Sequence, residues 1–279
     1  MPRIESLNIL LEGEGKAYLS ELYGSVIENV QKDTVSSHMK NKDLSGDPEA
    51  GSVEAKRFAN ATPKDYGTAR GKGKGDAVKA KPVVVAIDQD KEIVEELEAK
   101  DIKLLGVDGV LDRRSQSHAI SMVSALDKEF FAVAYENAVE LEVPADTEIE
   151  DEMELAIQEL ENTQNDYVDG VPRALMHMVL STKYYGKVRD HLDKVTRSTV
   201  DSGEEEFHVY HGVACYPSVH LPAGCDWLLM VDGAVAQPAW SNGYVAEKIP
   251  LSEAYGVSLF YHNGTAAVTP DLILTKAKA

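Results

Sequence analysis

The sequence predicts an α+β chain in which a long β-hairpin and a long helix lead into an α/β region and a closing set of strands. Three patterns carry that expectation. Leu111, Ser115, Ala119, Met122, Leu126, Phe130 and Val133 step by three or four residues, which lays them along one stripe of a helix. Two segments of strand composition, Ser52–Asn60 and the valine-rich Pro82–Ile87, flank a stretch where Gly71, Gly73 and Gly75 alternate with Lys72 and Lys74. Beyond residue 149, helix-period and strand-like segments alternate.

Near the start, Leu19, Leu22, Val26 and Val30 recur at helical spacing, so residues 16–38 form an amphipathic helix. Residues 41–51 are turn formers and charges and read as an extended linker that orders only against another surface. The hairpin that follows is locally basic, with eight Lys and Arg against three Asp and Glu between 52 and 83. It has few apolar residues near its tip and no evident core of its own, so it reads as an element that lies on another surface. Residues 93–106 are acidic and amphipathic through Ile93, Val94, Leu97, Leu104 and Leu105. Asp108 is the expected N-cap of a helix over 109–138, which would be about 45 Å long at 1.5 Å per residue.

Residues 136–169 hold thirteen acidic and no basic side chains. Within them 149–162 reads as a helix with Met153, Ile157 and Leu160 inward. Residues 173–180 are a buried-strand candidate and 182–194 a short helix. Phe207–Tyr216 and Trp227–Val231 read as strands, as do Ala254–Tyr261 and Thr265–Val268, the last two joined by a hairpin turn at His262-Asn-Gly264.

Composition narrows the function classes. With 43% hydrophobic and 27% charged residues, the chain is ordinary for a folded globular protein. A net charge of −19 argues against tight binding to nucleic acid or anionic membrane; plain solubility is the simpler reading of it, and enclosing a polyanion without gripping it stays compatible. Two cysteines, Cys215 and Cys225, do not make a disulfide framework, and a reducing cytoplasm is the expected setting. The apolar run Ile9-Leu10-Leu11 ends at Glu12, too short for a signal-peptide core, and no apolar stretch is long enough to span a bilayer.

Catalytic and ligand-binding patterns are weak. Residues 71–75 suggest a phosphate loop, but no Gly-Lys-Ser/Thr follows. His208, His211, Cys215, His220 and Cys225 are the one metal-like cluster; their spacing fits no standard zinc motif, and on a strand His208 and His211 point to opposite faces. Glu150 with Glu154, and Glu148 with Glu152, share helix faces, and a solvated acidic surface is the simpler reading of both. The expectation is no catalytic residue, no cofactor and no metal.

Several segments resemble a known family. Residues 51–70 look like the E-loop of major capsid proteins of tailed double-stranded DNA bacteriophages, which share the Hong Kong 97-type fold. Residues 91–101 look like the lead into that family's spine helix, and Gly109-Val-Leu-Asp-Arg-Arg114 like its opening. Residues 247–257 and 264–272 look like its returning strands, and the local likeness is best to long-tailed phages and prophages of Gram-positive bacteria.

The resemblance implies an N-terminal arm (1–50), an E-loop hairpin (51–92), a peripheral domain with the spine helix (93–145), an axial domain (146–238) and returning strands of the peripheral domain (239–279). It implies self-assembly into hexamers and pentamers around double-stranded DNA, without sequence-specific binding or a membrane. A separate scaffolding protein and a portal are the implied partners, and the virion, assembled in the host cytoplasm, the implied location. The hairpin-tip residues Arg70, Lys72, Lys74 and Lys79 are then the expected contacts between subunits, and Leu111, Met122, Leu126, Phe130 and Val133 the core of the spine. Some members cross-link an E-loop lysine to a neighbour's asparagine; Lys72, Lys74 and Lys79 are available, but the partner asparagine and activating glutamate find no match. Two further readings remain open, an encapsulin-like compartment and a small acidic metal enzyme. Particle formation and particle contents separate the three.

Overall fold

The structure, a computed structural model, describes residues 7–61, 63, 65–67, 78–103, 106–144, 146–194 and 207–277. Helix α1 (Gly13–Asp33) precedes strands β1 (Leu44–Asp47), β2 (Ser52–Phe58), β3 (Ala80–Ala86) and β4 (Gln89–Leu97). Then come helix α2 (Gly106–Glu136), β5 (Val139–Leu141), α3 (Ile149–Glu161), β6 (Met176–Ser181) and α4 (Thr182–Lys194). The rest is mainly strand: β7 (Val209–Tyr210), β8 (Val213–Ser218), β9 (Trp227–Val231), β10 (Val235–Ala236), β11 (Ala239–Lys248), β12 (Tyr255–Asn263), β13 (Ala266–Ala267) and β14 (Ile273–Lys276).

A six-stranded sheet in the order β5-β14-β9-β6-β8-β7 is covered on both faces. Alternation along the strands explains how. Met176, Met178 and Leu180 of β6 face α3 and α4, where Met153, Ile157, Leu160 and Val188 pack. Val179, Leu228 and Met230 face the other way, onto Phe130, Phe131 and Ala134 of α2. Each fully buried side chain of this size stabilises the fold by about 1.5–3 kcal/mol. Strands β6 and β8 are parallel, so the chain must cross the sheet between them, and α4 lies in that crossover.

The second layer pair is a three-stranded sheet, β11-β12-β4, under α1 and the first two-thirds of α2. Leu97, Val257 and Leu259 point into it, and Leu19, Leu22, Val26 and Val30 of α1 meet them together with Leu111, Ala119 and Met122. Helix α1 is therefore packed within its own chain. Buried Asp127 of α2 holds its far end, accepting from Val35 N at 3.0 Å and Ser36 N at 3.1 Å. A buried carboxylate without such donors would be costly.

Several expectations are corrected. Residues 41–51 contain β1, which pairs with β2 rather than remaining a free linker. Residues 89–97 form a strand because Ile93, Glu95 and Leu97 alternate with exposed Glu92, Val94 and Glu96, a period of two. Helix α2 starts at Gly106, which places Asp108 inside its first turn. The segment Phe207–Tyr216 splits at His211-Gly212, both at positive φ, the geometry of a two-residue hairpin turn. No hairpin joins the last strands at 262–264: β12 continues to Asn263, and β13 pairs with β10. Strand β14 enters the six-stranded sheet between β5 and β9, so the strands of 239–279 are divided among three sheets.

The acidic helix α3 is more than a solvated face. Glu152 is buried, accepting from Trp227 Nε1 at 2.7 Å and from Lys276 Nζ at 2.8 Å. Arg173 bridges Glu154 and Glu161, 2.8 Å from each, and His211 Nδ1 lies 2.6 Å from Glu154. The bond from Arg173 is the main reason the Glu154 carboxyl falls from 4.5 to about 2. The folded-state value lies below the unfolded one, so this stability is complete above about pH 5 and is lost as pH falls towards about 2. Arg173→Met should lower the urea midpoint at neutral pH and flatten its decline in acid. An unchanged acid slope would place the sensitivity in other carboxylates.

Candidate functional site

The hairpin of β2 and β3 has two unlike faces, and the register defines them. Glu54 lies opposite Val84, Lys56 opposite Pro82 and Phe58 opposite Ala80, all on the outward side. Val53, Ala55 and Val85 point inward and are buried against Ala236 and Val268. At the root, Gly264 passes so close that a Cβ there would lie 1.8 Å from Ala86 O, so only glycine fits.

Arg57 follows Val53 and Ala55 on the inward side. Its guanidinium grips Asp271 with two bonds, 2.5 Å from Oδ1 and 2.7 Å from Oδ2, and stacks over the Tyr167 ring at 4.3 Å. Asn165 Nδ2 donates to the same carboxylate at 2.7 Å, and Asn60 N to Asp166 O at 3.0 Å. Burial is the largest single influence on the Asp271 carboxyl and would raise it; the bond and charge of Arg57, with the backbone and Asn165 bonds, together outweigh it and hold the group below its usual range. The hairpin is thus latched to the loop between α3 and β6 and to the approach to β14. Outward, Phe58 is 57% and Val84 61% exposed.

Of the expected tip contacts, Arg70, Lys72 and Lys74 lie outside the described residues, as do Gly71, Gly73 and Gly75. Lys79 is exposed, and its carbonyl accepts from Ala59 N at 2.9 Å. Along α2, Leu111, Met122, Leu126 and Phe130 are buried, whereas Val133 is half-buried. There Phe131 and Ala134 turn inward instead, because the helix passes from the small sheet to the large one and its buried stripe shifts. Phe130 and Phe131 pack edge to face at 5.5 Å.

The histidine–cysteine cluster is dispersed. Cys215 packs with α3 and α4, Cys225 on the opposite face of the sheet. Burial raises their thiols to about 12 and about 11, which keeps them protonated and poor ligands. Among the described residues no group of three or more His, Cys, Asp or Glu is placed to hold a metal ion, and no helix is long and apolar enough to cross a membrane.

The latch escaped sequence reasoning because its partners lie 214 residues apart, where no spacing rule reaches. One signal was present: a charge in the inward register of a strand needs a partner.

No protein-family model matches the sequence, and neither does any curated protein. Solved structures do. A chain of Mycobacterium phage Che8 superposes with a TM-score of 0.62 at 20% identity, over 82% of this chain and 85% of that one. A capsid chain of Cyanophage P-SCSP1u gives 0.61 at 12% identity, over 86% of both. An encapsulin chain from Synechococcus elongatus PCC 7942 gives 0.57 at 12% identity, over 86% of this chain and 85% of that one. The protein therefore has the Hong Kong 97-type fold of phage capsid proteins.

The latch makes its own prediction. Arg57→Ala should cost about 1–3 kcal/mol, since it strips Asp271 of its charged donor, and should speed proteolytic cutting within 59–79. Equal cutting rates in the variant and the parent would show that the latch does not restrain the hairpin.

Proposed function

We propose that this chain is the non-enzymatic structural subunit of an icosahedral phage head, assembling with itself into hexamers and pentamers around double-stranded DNA. The observation that carries this reading is the match to a phage chain and to a phage capsid chain, each over more than four-fifths of this chain. The net charge of −19 supports it, because a lumen that does not grip a polyanion can fill and empty. Helix α2 serves as the spine. The large sheet with α3 and α4 serves as the axial domain, with β14 joined to residues 146–238. The hairpin reaches a neighbour through Arg70, Lys72, Lys74 and Lys79. A separate scaffolding protein and a portal complete the assembly, which forms in the host cytoplasm and ends as the virion.

An encapsulin-like compartment is the second reading, favoured by the likeness to the encapsulin chain. Negative-stain imaging of the purified chain tests both, since each requires closed particles. Nucleic acid inside supports the head, and cargo protein the compartment. A compact monomer at every salt and protein concentration sinks both.

Within the first reading, the basic tip is an assembly contact. Each exposed pair it makes contributes about 0.2–1 kcal/mol and is screened by salt, but the contact repeats over the whole lattice. Replacing Arg70, Lys72 and Lys74 with Glu should block or slow shell formation in sedimentation while leaving the circular dichroism spectrum unchanged. Assembly equal to the parent would remove the tip from the contact, and loss of the spectrum would mean that the segment belongs to the core.

A further inference from the structure

A chain of polar side chains runs through the apolar seam between α2 and the small sheet. Arg114 and His118 stand one turn apart on the same face of α2. Opposite them β4 presents Glu95 and β11 presents Tyr244. Arg114 grips Glu95 through Nε, 2.8 Å from Oε2, and through Nη2. His118 Nδ1 lies 2.6 Å from Tyr244 Oη. Its Nε2 lies 3.2 Å from Glu95 Oε2, shielded from solvent and without the alignment of a hydrogen bond. His118 as a whole is 4% exposed.

The remaining walls carry no charge. Helix α1 presents Leu19 and Leu22, α2 presents Leu111, and β12 presents Val257, around a cavity of about 10 Å³. Ser115 lies there too, and donates its hydroxyl to Asp112 O at 2.7 Å. A space of that size holds at most one water, so an imidazolium formed beside it would not be hydrated. Arg114 and Glu95 already balance each other, and a proton on His118 would leave one positive charge unmatched in the seam. The Glu95 carboxylate favours a ring proton on Nε2, which leaves Nδ1 to accept from the Tyr244 phenol. Burial keeps that phenol protonated, so a second ring proton would also reverse the Tyr244 bond. Burial lowers the basicity of His118 from the ordinary 6.5 and outweighs the opposing pull of Glu95.

We propose that His118 is a pH-sensitive clasp, which holds the first half of α2 on the small sheet while it is neutral and releases it when it is protonated. The second half of α2 is held separately, by Phe130, Phe131 and Ala134 on the large sheet. Because the folded-state value lies below the unfolded one, the clasp is complete above about pH 6.5 and is lost as pH falls towards the folded value. The clasp lies within one chain, so it stands whether or not the chain builds a shell.

Amide hydrogen exchange of the full chain tests it. Corrected for the free-peptide rate, exchange within 106–122 and 244–257 should quicken by up to about tenfold for each pH unit below 6.5, then level off once His118 is protonated. His118→Gln, which has no titrating ring, should give a flat profile over the same range, whatever its absolute rate. A parent profile that is flat, or a rise in His118→Gln equal to the parent's, overturns the clasp. Should His118→Gln fail to fold, the parent supplies a second measurement. Exchange of the ring C2 proton, read on residues 106–136, reports this ring alone, because His118 is the one histidine there. It should titrate below 6.5, at the pH where amide opening levels off. A ring that titrates at or above 6.5, or opening that levels off elsewhere, overturns the clasp as well.

Discussion

One helix is shared by two cores, and the rest of the structure hangs from that fact. Helix α2 buries Leu111, Ala119 and Met122 under the small sheet and Phe130, Phe131 and Ala134 under the large one. Its 31 residues make a rod of about 46 Å, and such a rod does not bend cheaply. The separation of the two sheets is therefore set by residue count along the helix. Where the burden passes from one sheet to the other, polar bonds collect. Asp127 caps the turn after α1, Gln237 Nε2 donates to Leu126 O at 2.9 Å, and Glu129 accepts from Asn263 and Thr265.

Buried charge serves a second purpose. Glu152 sits among apolar side chains yet is satisfied by Trp227 and Lys276, so α3, β9 and β14 must meet in one arrangement. Removing one partner leaves a buried charge unpaired, which costs about 3–5 kcal/mol, whereas an all-apolar contact would tolerate sliding. The Arg57–Asp271 pair acts likewise at the far end of the paired hairpin strands, where it fixes orientation.

What the sequence made legible was whatever repeats locally. The stripe on α2, the inward residues of α3 and the helix Thr182–Lys194 follow from a period of 3.6, and the strand Trp227–Val231 from a short continuous apolar run. What it hid was long-range pairing. Nothing near Ala266 indicates that it pairs with Ala236 in place of β12, and nothing near Ile273 indicates a seat in the far sheet. The linker at 41–51 was misread because its turn residues mask a short edge strand. Val133 was misread because a single stripe was extended through a point where the packing partner changes. The candidate site was half legible: the basic hairpin stands out by composition, while its apolar outward strip emerges only from the register.

The position of β14 has a consequence for timing. Val139 of β5 pairs with Leu274, and β14 separates β5 from β9 within the sheet. Every residue from 140 to 273 must therefore be synthesised before that part of the sheet can close. Contacts so distant along the chain form late, because the intervening loop must be ordered first. Until then Leu228 and Met230 lack their Ile273 neighbour, and the seat for Phe130 and Phe131 is incomplete. A partly made chain on the ribosome thus carries a large sheet that is still open between β5 and β9. Closure of the large sheet therefore waits on translation of β14.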